Sequence, residues 1–235
     1  MEVQYDNRTH TYFTMINGSR KIYQSCTTVV GWYKEPFNTV EKARAYAEKN
    51  GETPEYWMRV WAEKRDLACE KGTAIHDERE QREYKSSSTV FNTATVRLLN
   101  YHTLADGVYP ELKLWHHYWC IAGRADKCTI ETIGRNRYMH ILDYKTNELK
   151  FQSYQNRRGD FKRMLQPLQG LMDCNVMHYY LQLSLYQYMA EYLGFKPGTR
   201  TIVNIVDGKD VPYEVPYLRD KVEDMLKFAK INKRL

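Results

Sequence analysis

No stretch of this sequence approaches the roughly 20 consecutive apolar residues that a membrane helix needs, which argues against a membrane-spanning protein. The five cysteines, Cys26, Cys69, Cys120, Cys128 and Cys174, are odd in number and widely spaced, and no C-x-x-C pair occurs. That spacing argues against a disulfide framework and against a zinc ribbon, and it predicts reduced, mostly buried thiols. The first residues, Met-Glu-Val-Gln-Tyr-Asp, lack a basic start followed by an apolar run, so no secretory leader is expected. Internal repeats and long low-complexity segments are also missing, and Ser86-Ser-Ser88 is only a short polar break.

What is present suits a protein with a sizeable core. A length of 235 residues allows one or two domains, and one is the simpler expectation. The formal charge of +6 is a modest basic excess, compatible with a polyanionic partner. The 20 tyrosines fit either a partly wet stacking surface or the amphipathic edges of a core.

Residues 2 to 30 read as short strands and turns, with Asn17-Gly18 joining a hairpin between Tyr12–Ile16 and Lys21–Tyr23. Pro36 and Asn38-Thr39 can open a helix running to about Lys49, and Pro54 opens a longer one to about Glu83. A further helix is expected from about Val90 to His102. Residues 111 to 147 read as an antiparallel meander of three strands, Glu111–Cys120, Ala122–Thr132 and Tyr138–Thr146. A polar and basic segment follows to about residue 165. Then come a helix from Met177 to Leu193, strands Thr201–Val206 and Val211–Val215, and a closing helix from Asp220 to about Ile231. This order predicts an α/β (α+β) architecture, a mixed central sheet flanked by helices with a helical N-terminal part.

Within the meander, Asp143 and Lys145 are two residues apart on one strand and therefore share a side. Asp126 lies on the neighbouring strand. Two carboxylates beside an ammonium make a site for a hard cation, with the lysine placed to stabilise charge on a phosphate oxygen. Alone, a D-x-K triplet is more often a weak surface ion pair. Upstream, Gly72-Thr73-x-x-His76 sits inside the long helix. An interior helix glycine costs about 1 kcal/mol against alanine, which points to close approach of another backbone or a substrate. A lone histidine is usually structural, but a neutral imidazole here would complete a carboxylate metal site and shift preference from Mg²⁺ toward Mn²⁺. Downstream, Gln182 and Tyr186 are i,i+4 neighbours on a helix, placed either to hold phosphates or to orient the site, while Leu181, Leu185 and Met189 face the sheet. From Asn147 to Arg163 no core pattern is visible. The cations of this segment can neutralise phosphates, and Phe151, Tyr154 and Phe161 can stack on unpaired bases.

In order, the set is G-T-x-x-H, Glu111, G-R-A-D, D-Y-K and Q-x-x-x-Y. With the opening Tyr5-Asp6, His10-x-Tyr12 hairpin and Ser25-Cys-Thr-Thr28, it resembles the RecB-like branch of the PD-(D/E)XK nuclease superfamily. Within that branch it is most similar to the mitochondrial genome maintenance exonucleases and their phage-encoded relatives, over residues 5 to 230. The resemblance implies a restriction-endonuclease-like core and a single nuclease domain over 1–235, with an N-terminal hairpin and helical region at 1–105 and a catalytic core at 106–235. It implies Asp126, Asp143 and Lys145 as the catalytic set, and His76, Asp126, Asp143 and the carbonyl of Tyr144 as ligands of Mg²⁺ or Mn²⁺. Supporting positions would be Glu111, Gln182, Tyr186, Gly72 and Thr73, and DNA contacts would come from Thr146, Arg157, Arg158, Lys162 and Arg163. No cysteine follows Cys174, so the iron–sulfur cluster that some RecB-like nucleases carry is not expected. The implied activity is metal-assisted phosphodiester hydrolysis, as a DNA exonuclease preferring single-stranded ends in replication, recombination or repair. The implied location is cytoplasmic, in a bacterium or a phage-infected host, with replication or recombination proteins as partners and no membrane. A structure-specific endonuclease and a non-catalytic nucleic-acid-binding module are the alternatives.

Overall fold

The computed structural model describes residues 2–86, 89–91, 101–155 and 158–235. The N-terminal strands β1 (Gln4–Asp6), β2 (Thr11–Ile16) and β3 (Ser19–Ser25) form an antiparallel ladder. Asn17 and Gly18, at φ 50° and 80°, supply the two left-handed residues that a tight hairpin turn between twisted strands requires. Where short strands were expected through residue 30, the chain instead turns into α1 (Cys26–Gly31). Ser25 caps it, its hydroxyl accepting the amide of Thr28, and Cys26, Val29 and Val30 are buried. The β-branched run suggested a strand, but the serine cap and burial of one face outweigh that preference.

Helix α2 (Thr39–Asn50) starts at Asn38, whose side chain accepts the amide of Glu41, and ends at Gly51 in the left-handed conformation. It lies along the first turns of α3 (Pro54–Ser86), where Tyr46 meets Trp57 and Trp61 edge-on and Phe37 meets Trp61. Residues 63–71 of α3 are all exposed, so the middle of this helix crosses open solvent before its last turns reach the sheet. There Arg79 is buried and ion-paired with Asp210 at 2.6 Å, and Lys127 reaches Glu83 at 2.8 Å. The helix expected from Val90 to His102 lies mostly outside the described residues, and its end is a 3₁₀ turn at Tyr101–Thr103.

The meander follows as β4 (Gly107–His116), β5 (Ile121–Ile133) and β6 (Asn136–Lys145). Helix α4 (Asn175–Tyr192) crosses to β7 (Lys196–Val206), which pairs parallel to β6. Strand β8 (Lys209–Glu214) returns antiparallel, and α5 (Arg219–Ile231) closes the chain. The mixed sheet runs β1-β2-β3-β5-β6-β7-β8, with β4 on the opposite edge of β5. Leu181, Leu183, Leu185 and Met189 of α4 are fully buried, against β4, β6 and β7 on one side and α1 and α5 on others. The architecture is thus α/β, a mixed sheet flanked by helices with a helical segment near the N-terminus, as the order of elements predicts. No helix among the described residues is long and apolar enough to cross a membrane.

One detail of this sheet positions the site. Strand β3 pairs with β5 at Ile121 and Ala122, and β6 pairs with it from Lys127 to Ile133. The intervening edge of β5, residues 123–126, has no ladder partner among the described residues. Asp126 sits at the mouth of that opening.

Candidate metal centre

Asp126 takes over where the ladder stops. Its Oδ2 accepts the backbone amide of Tyr144 at 2.7 Å, so a side chain replaces the missing strand-to-strand bond. The same oxygen lies 3.3 Å from Nδ1 of His76, on α3. Glu111, on β4, completes the group: one ligand atom from each of His76, Glu111 and Asp126 falls within 4.8 Å of the others. Glu111 holds this place with a left-handed backbone, φ 52°, in the middle of a strand. A non-glycine residue in that conformation is strained by about 1–3 kcal/mol, and such strain gathers at functional sites. The three residues line an open cleft of about 340 Å³ together with Tyr12, Gly72, Thr73, Asp77, Glu80 and Arg124.

The electrostatics match a site that wants positive charge. Burial raises the carboxyl of Glu111 to about 7, against the opposing pull of Arg124, with which it forms an ion pair. The hydrogen bond to Asp126 raises the pKa of His76, despite the imidazole's partial burial. Asp143 is buried, and burial raises its carboxyl, opposed by the ion pair it forms with Lys145. The ammonium of Lys145 meets this carboxylate at Oδ2. Burial works against the charge on Lys145, but the carboxylates of Asp143 and Asp126 outweigh it and keep the ammonium above its ordinary pKa. The ammonium also lies 4.8 Å from the ring centre of Tyr179. One imidazole nitrogen and two cleft-lining carboxylates, with the buried carboxylate of Asp143 nearby, are a donor set that fits a divalent cation such as Mn²⁺ or Mg²⁺. His76, Glu111 and Asp126 would hold it.

The other expected site residues fall into three groups. Gly72 and Thr73 line the cleft beside His76. Among the described residues outside its own helix turn, a Cβ at Gly72 would meet the Thr146 hydroxyl at an ordinary 3.8 Å and no backbone atom, so close backbone packing is not what this glycine serves. Thr146 follows Lys145 directly and faces α3 across that gap. The peptide just beyond is pinned by Asn204, whose amide donates to the carbonyls of Lys145 and Asn147, each at 2.9 Å, and by Tyr179, which donates to the Asn147 side chain.

Gln182 and Tyr186 are buried, and the glutamine amide donates to the tyrosine hydroxyl at 3.0 Å. So buried, the pair offers little surface to a phosphate. Tyr186 instead packs on Gly123, where a Cβ would stand 2.5 Å from its ring. The glycine of G-R-A-D and the tyrosine of Q-x-x-x-Y are therefore two halves of one contact.

The basic segment is less available than its sequence suggests. Lys162 is ion-paired with Asp173 at 2.8 Å and with Glu35 at 3.5 Å, and Arg163 donates to the carbonyl of Gly170. Arg158 is exposed, and Arg157 lies outside the described residues. Phe151 and Tyr154 are exposed, Phe151 beside Tyr213. Of the cysteines, Cys26, Cys128 and Cys174 are buried, whereas Cys69 is exposed on α3.

Arg124 and Tyr12 belong to the cleft but were not assigned a role from sequence. Strand periodicity could have suggested Arg124, which lies two residues before Asp126.

No protein-family model matches the chain, and no curated protein matches it. Among solved structures, the crystal structure of SSO0001 is similar over 89% of this chain and 75% of its own, at 15% identity and a TM-score of 0.37.

Proposed function

We propose that this protein is a divalent-metal-dependent nuclease of the PD-(D/E)XK superfamily. Within it, the RecB-like branch and the mitochondrial genome maintenance exonucleases are the relatives that its motif order resembles. The observation that carries the proposal is the meeting of His76, Glu111 and Asp126 from three separate elements, with the buried Asp143–Lys145 pair on the adjoining strand. A structural ion pair needs no histidine and no strained glutamate beside it.

The cation, Mn²⁺ or Mg²⁺, would acidify water and draw charge from the phosphate. His76, Glu111 and Asp126 would hold it, and Asp143 and the Tyr144 carbonyl would be further donors from β6. Lys145 does the rest of the polar work. Its ammonium, kept charged by Asp143 and Asp126, orients the attacking water and donates to the phosphate oxygen on which charge builds. The face of Tyr179 fixes the ammonium from the other side.

The substrate in this reading is DNA with a single-stranded end, cut exonucleolytically, and the whole of 1–235 works as one unit, with 106–235 as the catalytic part. Its setting is cytoplasmic DNA replication, recombination or repair. Support comes from Phe151 and Tyr154, exposed aromatic rings a few residues past Lys145 and suited to unstacked bases. The deciding experiment compares labelled linear single strands, blunt duplex and closed single-stranded circles with Mn²⁺. Linear strands should be degraded and circles spared. Cleavage of circles at the linear rate would replace the exonuclease with an endonuclease, and no cleavage of any substrate would end the nuclease reading.

A further inference from the structure

We propose that Arg124 is an exchangeable clamp. It is paired with Glu111 while the cleft holds no cation, and it turns to a substrate phosphate once a cation takes the glutamate. The inference rests on the nuclease reading above. Arg124 meets the carboxylate of Glu111 through Nε. The side chain is 41% exposed. A guanidinium carries five donors in a flat fork, so a half-exposed arginine that lines the cleft can serve a second anion. The ring of Tyr5, 5.1 Å from its central carbon, supports the guanidinium without using a donor.

The charge of the cleft gives this arginine a task. Asp77, Glu80, Glu111 and Asp126 line it, against Arg124 and His76. A phosphodiester entering there meets an excess of negative charge unless cations answer it. Glu111 cannot serve both partners fully, because a divalent cation at its carboxylate repels the guanidinium held at the same group. Metal loading therefore frees Arg124 at the moment a second anion needs it. Planar, two-pronged binding of a phosphate is what guanidinium geometry suits best.

The test uses the full chain as wild type, Arg124→Gln and Arg124→Lys, with thermal melts confirming that each is folded. Mn²⁺ is first titrated calorimetrically into protein without DNA. Competition for Glu111 predicts about three- to tenfold tighter Mn²⁺ binding in Arg124→Gln. A purely structural role, holding Glu111 in place, predicts weaker binding and would overturn the proposal. Binding of a single-stranded oligonucleotide is then measured against salt, with Mn²⁺ present and Lys145→Ala added to every form to keep the strand intact. Loss of one phosphate contact should lower affinity about tenfold and flatten the log–log salt dependence by about 0.7. Arg124→Lys should restore the slope but not the full affinity, since it keeps charge without the fork. An unchanged slope in Arg124→Gln removes the phosphate half of the proposal. If the wild-type chain binds no strand at any salt, the nuclease reading falls, and the Mn²⁺ titration still decides whether arginine and cation compete.

Discussion

Replacing Gly72 by alanine separates what the fold needs from what the cleft needs. Gly72 lies well inside α3, where glycine costs about 0.8–1.0 kcal/mol relative to alanine. Among the described residues outside its own helix turn, an added methyl meets the Thr146 hydroxyl at 3.8 Å, which is normal contact and requires no movement. The substitution should therefore stabilise the protein by close to the full helix term. For a chain of this size that is a rise of about 2–4 °C in melting temperature, read by circular dichroism or calorimetry. Gly72 itself lines the candidate metal cleft together with Thr73 and His76. If the DNA backbone passes there, the strand is displaced by the bulk of a methyl group, and misplacement on this scale can lower turnover by about ten- to a hundredfold. The expected pair of results is a more stable and less active enzyme, measured on a labelled single strand with Mn²⁺. A fall in melting temperature would refute the packing argument. Higher stability with undiminished cleavage would refute the placement of the strand over Gly72.

Other outcomes follow from the same geometry. Chelation with EDTA should abolish cleavage, and Mn²⁺ should restore it at least as well as Mg²⁺; His76→Ala should lose the Mn²⁺ advantage first, and an unchanged metal preference would remove the imidazole from the ligand set. Lys145→Ala should lower turnover by at least about 10²–10³-fold, and it should also destabilise the protein near neutral pH, because Asp143 is left buried without its counter-charge; a wild-type rate and melt would rule out both roles. The raised pKa of Glu111, about 7 when folded against 4.5 for the free side chain, means that its protonated form favours the folded state. That contribution is fully present below about pH 4.5 and is lost as pH rises through about 7. Glu111→Gln should therefore gain stability over metal-free wild type across this window, by up to about 3 kcal/mol, and a difference that does not vary with pH would show that Glu111 is not desolvated.

Much of the scaffold was legible because it rests on local rules. Period-two alternation put Asp143 and Lys145 on one side, and they form an ion pair. The Asn17-Gly18 turn, the Pro54 helix start and the Leu181, Leu185, Met189 stripe all hold. What escaped depends on contacts distant in sequence. Glu111 joins His76 and Asp126 through a bent strand conformation that no propensity encodes. A helical wheel places Gln182 and Tyr186 together, but only the packing of α4 under the sheet shows that their face is buried. Lys162 reads as a free cation until the fold brings Asp173 and Glu35 to it. In α1, a serine cap and three buried side chains override a β-branched run.

The bare middle of α3 has a consequence for how the molecule comes apart. Residues 63–71 keep their helical hydrogen bonds but touch little else, so their resistance to opening is that of a short peptide helix, which is marginal in water. The turns on either side are secured separately, one by the tryptophans against α2 and the other by the buried Arg79 against β8. Amide exchange along this helix should then be fast in the centre and slow at both flanks, the reverse of an ordinary helix that frays from its ends. The polypeptide bearing His76 can thus break continuity with the N-terminal helices while the histidine stays at its post on the sheet.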